Sequence, residues 1–280
     1  MVDVTVIIIN YNGAVFIEEC IDSLLALKQY SPSFEVLLVD NASSDHSKEI
    51  LKKYQDDIQI IYNQENTGFA RANNQCLPIA KGRYLWLLNN DTCIPKNTDV
   101  FTPILSYLDS NEDAVGLSPK LLNADGSIQV QGSSLGSWRF YMKKTRQVPF
   151  LSGAALFIRT SFFKSIEGFD AALFFYNDDI DFAKQTKRHK KKLIYFPSIS
   201  IIHFGGLSTQ FRKLETIQEG YLGSLHLCKK FYPKWVYRIY HQLVHIDLNL
   251  KILYHGKCNS SPDHQKWLQN YKELKGKISL

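Results

Sequence analysis

The fold class is indicated first by the stretch Val4-Thr5-Val6-Ile7-Ile8-Ile9-Asn10-Tyr11-Asn12-Gly13. Its first six residues are all β-branched, which is typical of a strand covered on both faces. The polar residues after Ile9 break the strand, and Phe16–Leu27 then carries apolar residues at helical spacing. The stretch therefore predicts the first strand and helix of an α/β protein.

The same alternation of strand and helix continues through the first half of the chain. Further strands are predicted at Phe34–Val39, Ile58–Tyr62 and Tyr84–Leu88, and further helices at Ser47–Tyr54, Gly68–Ile79 and Thr98–Leu108. Short links between such elements predict a mostly parallel central sheet with helices on both faces.

The second half of the chain has a different pattern, with shorter strands and an irregular segment. Gly132–Pro149 is rich in Ser, Gly, Arg and Lys and is predicted to be a mobile loop, and helix is predicted from about residue 215 onward. The other predicted elements are strands at Asp113–Leu121, Ser127–Val130, Gly153–Ile158, Leu193–Phe196 and Ser200–Phe204, and a helix at Phe182–Lys190.

Polar side chains follow three of the predicted strands at the point where each strand ends. They are Asn10 and Asn12, the segment 40–45, and Asn89-Asn90-Asp91. In open α/β sheets, ligands bind beyond the carboxyl ends of the parallel strands. These positions therefore predict a nucleotide site at one edge of the sheet.

Two of the polar groups admit a catalytic and a purely structural interpretation. Asp178, Asp179 and Asp181 place three carboxylates within four residues, which suits a general base but also the cap of the following helix. Asn89-Asn90-Asp91 offers oxygen ligands for a hard divalent cation, yet it is also ordinary turn chemistry.

Two further segments admit the same choice. His203 stands at a predicted strand end before Gly205 and Gly206, where it is either a satisfied core histidine or a ligand near a bound phosphate. The segment 66–71, Asn-Thr-Gly-Phe-Ala-Arg, opens a helix and suits either phosphate binding or simple capping.

Composition excludes several classes of protein. Of the 280 residues, 45% are hydrophobic and 21% are charged, which argues against a disordered chain. The five Cys residues form no C-x-x-C pair, so we expect neither a structural zinc site nor a disulfide scaffold. We therefore expect a cytoplasmic location. The first residues lack a basic segment, so no signal peptide is expected, and no apolar run is long enough to span a membrane.

The charge is concentrated in the last fifth of the chain. Residues 226–280 hold ten Lys and Arg against three Asp and Glu, a net charge of +7, whereas the whole chain carries +6. A helix beginning at Pro233 would align one mostly apolar stripe, which either packs on the rest of the protein or lies in a membrane interface. The stripe comprises Val236, Ile239, Tyr240, Leu243, Ile246, Asp247 and Leu250. We expect salt-sensitive, peripheral association with the inner face of the cytoplasmic membrane. No nucleic-acid-binding signature accompanies the charge.

The order of these motifs resembles the family 2 glycosyltransferases with the GT-A fold, and most closely their rhamnosyltransferase-like subgroup. The resemblance covers residues 1–210. The segments that carry it are Val4–Asn12, Val39–Asp45, Asn66–Asn74, Leu87–Thr92, Leu151–Arg159, Gly168–Phe182 and His203–Ser208. It implies a GT-A catalytic domain over residues 1–215, with a donor half at 1–110 and an acceptor half at 111–215. A basic helical extension at 216–280 would follow.

The resemblance also implies a role for each residue of the site. Asp40 would bind the pyrimidine base of a dTDP- or UDP-sugar, and Asp91 and His203 would bind Mg²⁺ or Mn²⁺. Asp179 would be the general base, with Asp178 beside it where the family usually has Glu. The nucleoside and diphosphate pocket would be lined by Asn10, Asn12, Asn66, Gly68, Arg71, Asn89 and Asn90.

These roles predict an inverting transferase that moves a sugar, rhamnose from dTDP-rhamnose being the first expectation, to a growing cell-surface glycan or lipid-linked glycan. Two alternatives stay open at this point. A nucleotidyltransferase would need a Gly-rich loop with Arg and Lys after the first strand, where this chain has Asn10-Tyr11-Asn12-Gly13. A non-catalytic homologue that binds a glycan or a partner would not need Asp91 and Asp179, both of which are present.

Overall fold

The computed structural model describes residues 2–30, 33–131, 137–205, 213–257 and 262–279. These form two compact units. The first unit contains Met1–Ala171 and Asp178–Ser208, and the second contains Ala172–Asn177 and Thr209–Leu280.

A mixed ten-stranded β-sheet organises the described part of the first unit, and its strand order is β3-β2-β1-β4-β9-β6-β10-β5. β1 to β4 run parallel, whereas β9 is antiparallel to both β4 and β6. β10 is parallel to β6 and antiparallel to β5, β7 pairs with β6, and β8 pairs with β10. The strands are β1 Val4–Asn10, β2 Phe34–Asp40, β3 Gln59–Tyr62, β4 Tyr84–Asn89, β5 Thr92–Cys93, β6 Ala114–Leu122, β7 Ile128–Gln129, β8 Arg146–Val148, β9 Ala155–Arg159 and β10 Lys192–His203.

Helices cover both faces of this sheet, as the continuous apolar runs predict. Val6 and Ile8 of β1 belong to the core cluster with α1, α2 and α4, whereas Ile7 belongs to the cluster with α3, α5 and α6. Alternate residues of one strand are thus buried on opposite faces. The helices are α1 Ile17–Leu25, α2 Ser47–Leu51, α3 Phe69–Asn74, α4 Phe101–Ser110, α5 Thr160–Ser165 and α6 Asp178–Arg188.

The predicted α/β class is confirmed, but several local predictions are wrong. β10 is one strand where the sequence predicts two, because register shifts along its pairing with β6 carry it past Pro197. α3 ends at Asn74 and continues as turns, so it is shorter than the predicted 68–79. α6 begins at Asp178 rather than at Phe182, which places the acidic residues in its first turn.

The segment predicted as a mobile loop also contains regular structure. Ser137–Tyr141 forms a 3₁₀ helix, and β8 pairs with β10. Phe140 is buried, and its carbonyl oxygen accepts a hydrogen bond from the Tyr195 hydroxyl at 2.8 Å. Residues 132–136 and Gly206 lie outside the described ranges.

The described part of the second unit contains three helices, α7 Lys213–Phe231, α8 Lys234–Lys257 and α9 Pro262–Ser279. They share an apolar core to which each contributes, and Leu225, Val244, Leu248 and Leu274 are among its buried members. None of the helices in the described ranges is long and apolar enough to cross a membrane.

Candidate active site

The carboxyl ends of β1 and β2 bring the first group of predicted residues together. Asn10 and Asp40 are register partners and both are fully buried. Asn10 Nδ2 donates to Asp40 Oδ1 at 3.0 Å and to Ser43 Oγ at 3.2 Å, while the Ser43 backbone N–H donates to Asp40 Oδ2 at 3.2 Å. Asp40 thus fixes the loop that follows β2. Ser43 belongs to the polar segment that the sequence places at this strand end, although no site role was predicted for it.

Asn12 and Asn90 extend this group. Asn90 Nδ2 donates to Asn10 Oδ1 at 2.7 Å, which connects the end of β4 to the end of β1. Asn12 has a left-handed backbone with φ 52°, and its side-chain oxygen accepts from the Ser44 backbone N–H at 2.8 Å. Asn tolerates this conformation better than most residues, and hydrogen bonds to Ser43 and Ser44 hold Asn12 in it.

Asn66 and Gly68 lie at the start of α3 and are held by Asn41, which sequence reasoning did not include among the site residues. Asn41 Nδ2 donates to Asn66 Oδ1 at 2.9 Å, and Asn41 Oδ1 accepts from the Thr67 backbone N–H at 3.0 Å. Gly68 has a backbone φ of 81°, a conformation that residues other than glycine rarely adopt. The signal for Asn41 was its place directly after Asp40 at a strand end.

Arg71 is in the first turn of α3 and is exposed. Its Nε donates to the backbone oxygen of Ala171 at 2.9 Å. One turn further, Asn74 makes two hydrogen bonds with the backbone of Phe169, at 2.7 and 2.9 Å. These bonds fasten the Gly168-Phe169-Asp170 segment to α3.

Asp91 and His203 face one another beyond the end of β4. Asp91 Oδ1 lies 3.2 Å from His203 Nε2, and Asn89 Nδ2 lies 3.2 Å from the same nitrogen. The antiparallel pairing of β5 with β10 makes Thr92 the register partner of His203, which is what brings the two side chains together. Both side chains are mostly buried.

Gln129, on β7, decides which nitrogen of His203 carries the proton of the neutral ring. Its Nε2 donates to Asn123 Oδ1 at 3.0 Å, so its Oε1 faces His203 Nδ1 at 2.6 Å. An amide oxygen can only accept, so Nδ1 holds the proton of the neutral ring, and the Nε2 lone pair lies 3.2 Å from both Asp91 Oδ1 and Asn89 Nδ2. Sequence reasoning missed Gln129, because nothing in a two-residue strand distinguishes it.

The pair formed by Asp91 and His203 suits a cation. In the neutral ring the Asn89 amide donates to the Nε2 lone pair, but the Asp91 oxygen 3.2 Å away is a second acceptor, and two acceptors in contact are stabilised by a shared proton or a metal ion. An outer hydrogen bond from the other ring nitrogen to an oxygen is typical of ligating histidines. Within the described residues no group of three or more His, Cys, Asp and Glu is placed to hold a metal, so further ligands would have to come from a bound diphosphate or water.

The first turn of α6 contains the predicted base. Burial raises the pKa of Asp178, and the negative charge of Asp179 raises it further. Burial also raises the pKa of Asp179, while the Ile180 backbone N–H, which donates to its Oδ1 at 2.8 Å, acts in the opposite direction. Carboxyls with raised pKa values are suited to proton transfer near neutral pH.

Gly153 marks where these groups converge. A Cβ added there would lie 3.8 Å from the Phe69 ring and 3.9 Å from Asp178 Oδ2. The next residue, Ala154, accepts a hydrogen bond from the Asn89 backbone N–H at 2.8 Å. Gly153 therefore lies among the start of α3, the end of β4 and the first turn of α6.

A family model described as "Glycosyl transferase family 2" matches residues 5–166. Among curated proteins, the putative teichuronic acid biosynthesis glycosyltransferase TuaG of Bacillus subtilis is 37% identical over 91 residues. That stretch is 31% of this chain and 35% of TuaG, so the match spans about a third of the relative's length.

Two solved structures share the fold at low identity. The mannosyltransferase PcManGT from Pyrobaculum calidifontis, in complex with GDP-Man and Mn²⁺, has a TM-score of 0.61 at 15% identity, over 97% of this chain and 84% of that one. Residues 1–349 of TarS from S. aureus, in complex with UDP-GlcNAc, have a TM-score of 0.61 at 17% identity, over 96% and 79%. These likenesses confirm the GT-A fold that the resemblance implies.

Proposed function

The chain belongs to glycosyl transferase family 2, and on this premise we propose that it is an inverting, metal-assisted transferase that moves a sugar from a nucleotide-sugar to a hydroxyl group of a cell-surface glycan. The observation that carries the proposal is the Asp91–His203 pair beyond the end of β4, next to Asn90, which donates to Asn10 of the buried polar group on β1 and β2. The teichuronic acid in the name of TuaG supports a cell-surface glycan as the acceptor, and the UDP-GlcNAc bound to TarS supports a nucleotide-sugar as the donor.

The polar group at the ends of β1 and β2 is proposed to hold the nucleotide. Asp40 is fully buried here, with one hydrogen bond to each oxygen, and it is proposed to accept from the N–H of a pyrimidine base through a second lone pair once the loop after β2 gives the base access. The rest of the pocket is proposed to be lined by Asn10, Asn12, Asn66, Gly68, Arg71, Asn89 and Asn90. Most of these residues are tied to one another or to Asn41, so the pocket is already organised before a nucleotide binds.

Asp91 and His203 are proposed to hold Mn²⁺ or Mg²⁺ together with diphosphate oxygens. When bound, the cation neutralises the charge that develops on the departing diphosphate. Gln129 keeps the Nε2 lone pair of His203 directed at the site. The Mn²⁺ bound to PcManGT supports a divalent cation in this fold.

Asp179 is proposed to be the general base. The acceptor oxygen bonds to C1 of the sugar, the bond from C1 to the diphosphate breaks, and the hydroxyl proton passes to the Asp179 carboxylate. A single displacement of this kind inverts the anomeric centre. Asp178, whose pKa is raised both by burial and by Asp179, is proposed to remain protonated beside it.

The donor and the acceptor are proposed from the rhamnosyltransferase-like motifs. Rhamnose from dTDP-rhamnose is the proposed donor, with UDP-sugars as the second class to test, and a glycan on a lipid carrier is the proposed acceptor. Such an acceptor would place the enzyme at the inner face of the cytoplasmic membrane. Residues 1–215 are proposed as the catalytic domain, and 216–280 as an extension that serves this location.

Donor turnover decides the proposal. The full chain is incubated with dTDP-rhamnose, UDP-GlcNAc, UDP-glucose and GDP-mannose, with Mn²⁺ or with excess EDTA, and the released nucleoside diphosphate is measured. We expect release from a pyrimidine nucleotide-sugar with metal, and little release with EDTA or from the variant Asp91→Ala. Full activity in EDTA would remove the metal-assisted mechanism, and no release from any donor would remove the catalytic proposal.

A further inference from the structure

One side of α8 is an unbroken apolar surface that no described residue covers. Seven large side chains on it are each more than half exposed. At 3.6 residues per turn they fall within a sector of about 100°. We call this surface the outer face of α8, and it consists of Trp235, Ile239, Leu243, Ile246, Leu250, Leu253 and Tyr254.

The outer face is distinct from the face by which α8 packs within its own unit. Val244 and Leu248 are buried and belong to the core with Leu225, Tyr271 and Leu274. They project about 140–180° away from Ile239 around the helix. The sequence prediction treated the apolar residues of this helix as one stripe that either packs or binds a membrane, whereas the structure gives α8 two apolar faces and buries only one.

Exposed apolar surfaces of this extent on soluble proteins mark interaction sites. The charge around the outer face points to an anionic partner, since Lys234, Arg238 and Lys257 are exposed on the same helix. Asp247 is the acid of α8, and its carboxylate lies 2.6 Å from Lys251 Nζ, so its charge is balanced. The helix belongs to the segment 226–280, whose net charge is +7.

We propose that the outer face of α8 lies in the interface of an anionic lipid surface, with the helix axis parallel to the membrane. The 24 residues of α8 carry charges along their length, which suits a helix that lies on a bilayer rather than one that crosses it. Trp235 and Tyr254, near the two ends, are residue types that favour the headgroup level. The basic side chains can extend to lipid phosphates.

A second copy of this chain is a poorer occupant of the same face. Two outer faces in contact would bring two segments of net charge +7 together, and like charges opposed across an interface weaken it. An anionic bilayer satisfies the apolar surface and the positive charge at once. The inference rests on the proposed function, because membrane binding would bring the enzyme to the lipid-linked acceptor proposed for it.

Vesicle binding by the full chain tests the proposal. The protein is sedimented with vesicles of phosphatidylglycerol and phosphatidylcholine in equal parts, and with vesicles of phosphatidylcholine alone, at low and at high salt. We expect strong binding to the first at low salt, weaker binding at high salt, and little binding to the second. The double variant Leu243→Gln/Leu250→Gln should bind at least ~10-fold more weakly.

The matched control is Ile79→Gln/Met142→Gln, which removes two exposed apolar side chains from the first unit and should bind as the parent does. Vesicles should shift the fluorescence of the parent to shorter wavelength, and Trp235→Phe should remove most of that shift. Circular dichroism of each variant verifies that the helices are retained.

Two outcomes would overturn the proposal. One is equal sedimentation of parent and Leu243→Gln/Leu250→Gln, or none of either. The other is a dimer in light scattering that this variant dissociates, without vesicle binding by the parent, which would assign the face to a second copy. Donor turnover without vesicles tests the proposed function separately: its absence alongside intact vesicle binding would count against the enzyme proposal alone.

Discussion

The two carboxyls that open α6 can be separated by one pair of nearly isosteric substitutions. Asp179→Asn removes the proposed base, and we expect kcat to fall ~10²–10⁴-fold, the usual contribution of general base catalysis. Donor affinity should change little, because Asp179 is assigned no contact with the nucleotide. Asp178→Asn should cost less than ~10-fold, because Asn resembles the protonated carboxyl that burial and the charge of Asp179 favour there.

The raised pKa of Asp178 also sets the sign of a stability effect. A carboxyl whose pKa is higher in the folded chain than in the unfolded chain binds its proton more tightly when folded, so the chain loses stability as pH rises through the folded pKa. Each unit of the raised pKa costs about 1.4 kcal/mol at higher pH. Asp178→Asn removes this cost, and a chain of this size gains about 2–4 °C in Tm per kcal/mol.

The assay compares parent, Asp178→Asn and Asp179→Asn in nucleoside diphosphate release and in thermal unfolding between acidic and alkaline pH. We expect Asp178→Asn to be more stable than the parent above the raised pKa, with the difference closing as pH falls toward the ordinary pKa of Asp. If Asp178→Asn loses as much kcat as Asp179→Asn, or if its Tm advantage does not grow with pH, the assignment of the two carboxyls is wrong.

Three other substitutions test the donor site. Gln129→Leu removes the acceptor that orients His203, and should weaken Mn²⁺-dependent nucleotide binding ~10–100-fold in calorimetry; unchanged affinity would contradict the orientation argument. Asp40→Asn replaces one carboxylate oxygen by an NH₂ group, so either Asn10 Nδ2 or the Ser43 backbone N–H would face another donor. The free energy of unfolding in urea should fall by about 1–3 kcal/mol, and an unchanged value would mean that other contacts hold the loop. Gly13→Ala would place a methyl group against the side chains of Asn90 and Asn10, and should abolish nucleotide binding with a stability loss of about 1–3 kcal/mol in urea, whereas intact binding would show that their contact is dispensable.

Much of the site could be predicted because parallel strands end at one edge of a sheet. The β-branched run before Asn10 predicts a strand buried on both faces, and β1, β2 and β4 are all parallel in the structure. Asn10, Asp40 and Asn90, which follow three separate apolar runs, therefore come within hydrogen-bond distance through one chain of contacts. The spacing of apolar residues along the chain and the residue types at the strand ends were sufficient to predict these three positions.

Other features depended on pairings that no local pattern encodes. β9 lies antiparallel between β4 and β6, which turns the sheet from parallel to mixed and brings Gly153 beside Asp178. His203 reaches Asp91 because β10 pairs antiparallel with β5, and Gln129 reaches His203 from a two-residue strand. The order of strands that are far apart in the sequence is decided by which apolar faces pack together. The sequence indicates which face of each strand is apolar, but not which other element packs against it.

Three features of this protein therefore follow from the order of its residues, since each depends only on neighbours along the chain: the alternation of strands and helices, the polar residues at the strand ends and the basic charge of the last 55 residues. The tertiary structure decided which acceptors face one another at Asp91 and His203, and which apolar face of α8 is buried. At the helical period, apolar residues of α8 fall on two of its faces. Packing against α7 and α9 buries Val244 and Leu248 on one face and leaves Leu243 and Leu250 exposed on the other.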